Sequence, residues 1–166
     1  METVMTDTNT DRINTDHTEI NVLGNSAWLT NFISVYHQLS TDNLHLLEQI
    51  YHAKVDFIDP IHEIHGFDAL SNYFDGLYQN VSYCQFNIHH VVETELEAAI
   101  YWTMTYQHKQ LNGGQKITVT GSSHLKAFEG KIIYHRDYID LGEMLYENIP
   151  LLGRLISWIK KRAANA

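Results

Sequence analysis

Apolar positions recur every three to four residues from residue 26 to about residue 78, and every second residue from there to about residue 140. A period near 3.6 marks helices with one buried stripe, and a period of two marks strands with one buried face. Leu29, Phe32, Ile33, Tyr36 and Leu39 predict a first helix, with Asn25 or Ser26 as its N-cap. Ser40, Thr41 and Asp42 offer a fresh cap, and Leu44, Leu47, Ile50 and Tyr51 predict a second, shorter helix. Strand character follows over 55–60 and stops at Pro60, which cannot donate to a ladder. After Gly66, the residues Leu70, Tyr73, Phe74 and Leu77 form the stripe of a third helix.

The two-residue period starts at Tyr83, where Cys84, Phe86, Ile88, His90 and Val92 share one face of a long strand. Three more strands are expected over 98–108, 116–128 and 132–140, with Asn112-Gly113-Gly114 and Glu129-Gly130 as hairpin loops. The fold class is therefore α+β, with three N-terminal helices on one face of a curved, mainly antiparallel sheet. Residues 1–25 are rich in Thr, Asn and Asp and read as a disordered or draped tail, and 26–148 form the domain. Residues 149–166 carry Leu151, Leu152, Leu155, Ile156, Trp158 and Ile159, then Lys160, Lys161 and Arg162. That pattern predicts an amphipathic basic helix packed on the domain or on a dimer partner.

One acid breaks the pattern, for Asp137 has the same parity as Ile133 and Ile139. A two-residue turn at Glu129-Gly130 would set His124 opposite His135 and Ser122 opposite Asp137. A three-residue loop at 112–114 would set Trp102 against His124, Met104 against Ser122 and Tyr106 against Thr120. The face so assembled has apolar walls and a few polar groups, the makeup of a small-molecule pocket. The competing reading makes it the solvated face of the sheet.

Composition narrows the partners. The 166 residues carry a formal charge of −9 with histidines neutral, which argues against nucleic acid. The single cysteine, Cys84, reads as core and excludes an internal disulfide. With no apolar leader and no run long enough to span a bilayer, the expected compartment is the cytoplasm and no stable membrane insertion is expected. Eleven histidines are scattered without a metal-ligand spacing, so no metal and no cofactor are expected. Asp59 before Pro60 also fits a turn residue bonding its own backbone, and Tyr36 fits an ordinary core position.

The order of elements and two segments resemble the nuclear transport factor 2-like superfamily, the cone-shaped fold of ketosteroid isomerases, limonene epoxide hydrolase and SnoaL-like polyketide cyclases. VDFIDPIHEIHGFDALSNYF at 55–74 is similar to the family's strand, D-P turn and third helix, and GKIIYHRDYIDL at 130–141 to the closing strand of the epoxide hydrolase. The resemblance places Asp137 where that hydrolase keeps its catalytic aspartate. Phe57 and Asp59, however, stand where it positions water, and Met104 and Tyr106 where it keeps an arginine and a second aspartate, which disfavours epoxide opening. Compared with ketosteroid isomerase, Asp59 matches the general base, Tyr36 an oxyanion donor and His124 the second donor. The resemblance thus implies a catalytic set of Asp59, Tyr36, His124 and Asp137, in a pocket with Phe57, His62, Trp102, Met104, Tyr106, Ser122 and His135. The expected chemistry is proton transfer next to a carbonyl of a small apolar ring compound, by isomerisation or cyclisation. A non-catalytic binding or dimerisation module is the alternative. The family also implies a homodimer through the outer sheet face, expected here to carry Tyr101, Thr103, Thr105, Val119 and Leu125.

Overall fold

The computed structural model describes residues 26–165, so the tail expected over 1–25 lies outside the described residues. Helix α1 (Ala27–Gln38) buries Leu29, Phe32, Ile33 and Tyr36 as the stripe requires. A 3₁₀ turn (Leu44–Leu46) leads into the single turn α2 (Leu47–Ile50), and Tyr51 already opens strand β1 (Tyr51–Ile58). A three-residue strand β2 (Glu63–His65) precedes helix α3 (Phe67–Tyr78).

Four long strands follow: β3 (Val81–Glu93), β4 (Glu97–His108), β5 (Lys116–Phe128) and β6 (Lys131–Ile139). With β1 and β2 they make one sheet in the order β2-β1-β6-β5-β4-β3, antiparallel except where β1 runs parallel to β6. The short α4 (Leu141–Met144) is capped by Asp140, whose carboxylate accepts from the Gly142 and Glu143 amides. Helix α5 (Leu152–Ala164) ends the described chain. The architecture is the expected α+β cone, a curved open sheet with helices closing its concave side.

Two of the sheet's β-bulges reset which side chains face inward. In β6 the ladder steps from Ala127↔Ile132 to Lys126↔Tyr134, leaving Ile133 as the extra residue. In β3 it steps from Ile88↔Trp102 to His90↔Tyr101, leaving His89 unpaired and turning His90 outward against Tyr101. His90 is therefore not on the apolar face, although Cys84, Phe86 and Ile88 are packed inward.

The β5–β6 turn has both Glu129 and Gly130 at positive φ, the type I′ geometry that a two-residue hairpin favours. Because of the Ile133 bulge, Asp137 nonetheless stands opposite Ser123 and His135 opposite Leu125. The connection between β4 and β5 is also longer than three residues, so Trp102 faces Gly121 and Met104 faces Val119. Val119 and Leu125 are fully buried, which corrects their expected place on the outer face; Tyr101 is exposed there as expected. No helix among the described residues is long and apolar enough to cross a membrane.

Candidate functional site

The concave side of the sheet, α1, α3 and α4 enclose one cavity of about 280 Å³. Its wall is apolar over most of its extent, with Phe32, Phe57, Phe74, Phe86, Trp102 and Met104 among the residues that form it. Asp137 opens into this space because its strand places it beside Ile139, which lines the same wall.

Behind the cavity wall runs a continuous chain of hydrogen bonds. Tyr36 Oη lies 2.6 Å from Tyr51 Oη, and Tyr51 Oη lies 2.6 Å from His135 Nδ1. His135 Nε2 then meets Asp137 Oδ1 at 2.8 Å. A second arm reaches the same oxygen: Trp102 Nε1 donates to Ser123 Oγ at 2.8 Å, and Ser123 donates to Asp137 Oδ1 at 2.5 Å. Every donor in both arms can donate once if His135 is neutral with its proton on Nε2, so Tyr36 donates to Tyr51, Tyr51 to Nδ1, and Nε2 to the aspartate. Both arms converge on Oδ1. Oδ2 of Asp137 is left without a partner among the described residues, and the side chain keeps 16% of its surface accessible.

The rest of the hydrogen-bond chain is sealed. Tyr51 and His135 are each 1% exposed, and aromatic rings pack against the imidazole from three sides, with Phe57 at 4.9 Å, Phe32 at 5.7 Å and Tyr51 stacked at 5.9 Å. Burial, with the nearby Asp137 charge adding to it, holds the Tyr36 hydroxyl well above its ordinary range. Burial does the same for Tyr51, helped by Tyr36. These phenols therefore remain donors at neutral pH. Burial likewise pushes the Cys84 thiol up, although the Tyr78 hydroxyl on its sulfur acts in the opposite sense.

Asp59 also borders the cavity, but its carboxylate is committed to the loop that carries it. Oδ1 accepts from the Ile61 and His62 amides, both at 2.7 Å, and Oδ2 accepts from the Tyr73 hydroxyl. This is an Asx-type turn reinforced from α3. His62 donates its backbone amide to that turn while its ring lies exposed against Tyr73, outside the cavity lining.

Of the residues expected in the site, Tyr36, Phe57, Asp59, Trp102, Met104, Tyr106, His135 and Asp137 share the cavity. His124 and Ser122 do not. His124 points to the opposite side of the sheet, 3.4 Å from Glu97 and packed on Tyr134, because the bulge moves β5 by one residue and a one-residue slip exchanges the faces. Ser122 turns away with it, and Ser123 takes its place against Asp137. The sequence reading missed Tyr51, which it took for the last turn of a helix, and Ser123, which it put on the wrong parity. A signal for Tyr51 existed, since Tyr51, Val55 and Phe57 are all buried along β1.

Comparison with known proteins agrees with this architecture. A SnoaL-like polyketide cyclase candidate from Jannaschia sp. CCS1 superposes with a TM-score of 0.65 at 12% identity, over 75% of this chain and 92% of its own. A protein of ketosteroid isomerase-like fold from Catenulispora acidiphila, solved with trimethylamine, gives 0.64 at 15% identity, over 75% and 94%. An epoxide hydrolase of the limonene type from M. tuberculosis gives 0.57 at 13% identity, over 70% and 79%. No curated protein sequence matches the chain. The family model for the SnoaL-like domain matches residues 32–135, more than half of the chain, and the protein belongs to that family.

Proposed function

We infer that the cavity takes a small, mainly apolar, ring-sized carbonyl compound and moves a proton at the carbon next to the carbonyl. The observation that carries this reading is the open Oδ2 of Asp137, a hydrogen-bonded carboxylate facing an apolar space of about 280 Å³. Its relatives in fold include a cyclase candidate and a protein of ketosteroid isomerase-like fold, and the fold is compatible with such chemistry.

In this scheme Asp137 Oδ2 accepts the α-proton, while His135 and Ser123 hold Oδ1 and fix the carboxylate plane. Tyr36 lines the same cavity, and its neutral O–H meets the enolate oxygen by turning from Tyr51 to the ligand. Returning the proton to a different carbon gives isomerisation. Attack of the enolate carbon on a second carbonyl gives an aldol-type ring closure. Asp59 keeps the loop at the cavity edge in shape and is not the base.

The test is hydrogen–deuterium exchange at the α-carbon of cyclic ketones and enones in deuterated water, followed by NMR with and without the protein. The reading expects catalysed exchange that falls by about 10²- to 10⁴-fold in Asp137→Asn. Ligands that bind without any catalysed exchange would instead establish a carrier.

A further inference from the structure

We propose that α5 is a membrane-surface helix that docks the protein reversibly on anionic phospholipid, lying in the headgroup plane without crossing the bilayer. The helix touches the rest of the chain mainly through the Tyr146–Asn148 turn, where Gly153 is buried against the Glu147 carbonyl. Its apolar residues remain uncovered. Leu155, Trp158 and Ile159 are each more than half exposed, and Leu151 before them is 75% exposed. On a helical wheel Leu152, Leu155, Ile156, Ile159 and Ala163 fall within one arc, while Arg154, Ser157 and Lys161 lie opposite.

Charge separates what this face fits. Four of the eleven Lys and Arg residues, and none of the twenty Asp and Glu, fall within α5. Lys160 is held by Glu147, but Arg154, Lys161 and Arg162 make no ion pair among the described residues. Arg162 instead lies over the Trp158 ring, 5.6 Å from its centroid. A short helix with an exposed apolar arc, a basic polar face and a tryptophan at the boundary has the pattern of an interfacial helix. At 1.5 Å per residue it is about 20 Å long, too short to span the hydrocarbon core. The carboxylates nearest the helix, Glu147, Asp140 and Glu143, act on Lys160, and acidic residues beyond the roughly 8 Å screening length at physiological salt add little repulsion.

Trp158 supplies its own reporter, because Trp28 and Trp102 are buried. The full chain is titrated with vesicles of phosphatidylserine in phosphatidylcholine, and with phosphatidylcholine alone, reading co-sedimentation and tryptophan emission. The proposal expects binding with a blue shift on the anionic vesicles, weakened by about tenfold or more in high salt or on neutral vesicles. Leu155→Glu and Trp158→Glu, at exposed positions, abolish binding while thermal melting stays unchanged. Absence of binding to the anionic vesicles overturns it. So does a blue shift that depends on protein concentration alone and disappears with self-association in Leu155→Glu, which would assign the face to a second copy. The vesicle readout is independent of catalysis in the cavity.

Discussion

Ser123 and Asp137 face each other across β5 and β6, and the serine hydroxyl reaches the carboxylate at 2.5 Å. The pair sits where the ladder has already absorbed one extra residue, so the aspartate's inward aim is a product of the bulge as much as of strand alternation. Around it the consequences can be measured.

The two cavity carboxylates separate by substitution. In Asp59→Asn the amide oxygen still accepts from the Ile61 and His62 amides, and only the Tyr73 contact changes character. A loss of about 0.5–1.5 kcal/mol in urea unfolding is expected, with α-proton exchange within a few-fold of the parent. Exchange abolished in a fully folded Asp59→Asn would transfer the base role to Asp59.

Tyr51→Phe removes the partner of a buried imidazole nitrogen and of Tyr36 at once. Leaving His135 Nδ1 unsatisfied costs about 1–3 kcal/mol, and the expected result is a lower urea midpoint at an unchanged denaturant slope. A variant as stable as the parent would mean that the Tyr51 link contributes nothing to the fold.

At Gly121 an added methyl would meet the Trp102 ring at 2.5 Å. Trp102 is itself held by Ser123 and cannot withdraw without breaking that bond. Gly121→Ala is therefore expected to lose about 1–3 kcal/mol by overpacking and to weaken cavity ligands. Thermal melting together with near-ultraviolet circular dichroism of Trp102 reads both effects.

Alkaline pH provides the titration. Tyr36, Tyr51 and Tyr78 are pushed up chiefly by burial, and burial with the Cys84 charge pushes Tyr106 up to about 12. In the unfolded chain these phenols ionise near their ordinary value of about 10. Above that pH the unfolded state has released protons that the folded state still holds, so stability must fall as pH rises. Urea unfolding should give a level free energy to about pH 9 and a steady decline beyond it. A level free energy through pH 11 would contradict the burial of these hydroxyls.

Alternation alone marks most of the wall of this site. Trp102, Met104, Tyr106, His135 and Asp137 do share one face. Pairing was harder, because register was counted from the turns and two irregularities intervened: Ile133 adds a residue in β6, and the β4–β5 connection is longer than its Asn-Gly-Gly core suggests. The two shifts cancel on β4, which kept its correct facing, and persist on β5, where His124 and Ser122 were exchanged for Ser123 and Leu125. A bulge leaves little local signature, since its residues are ordinary in type and only the ladder shows that one is extra. For Asp59 the sequence offered both a base and a turn residue bonding its own backbone; the Ile61 and His62 amides do bond Oδ1, and the part with no sequence signal is the Tyr73 hydroxyl on Oδ2, which comes from α3.

A line of hydroxyls that begins at an imidazole can be read in either direction. If His135 gains a second proton, Nδ1–H becomes a donor to Tyr51, Tyr51 turns its proton to Tyr36, and the Tyr36 proton is released toward the cavity. Tyr36 then offers the cavity a donor where it had offered an acceptor, with no heavy atom displaced. One protonation event at His135 would thus reverse the polarity that the neighbouring Tyr36 presents to a ligand.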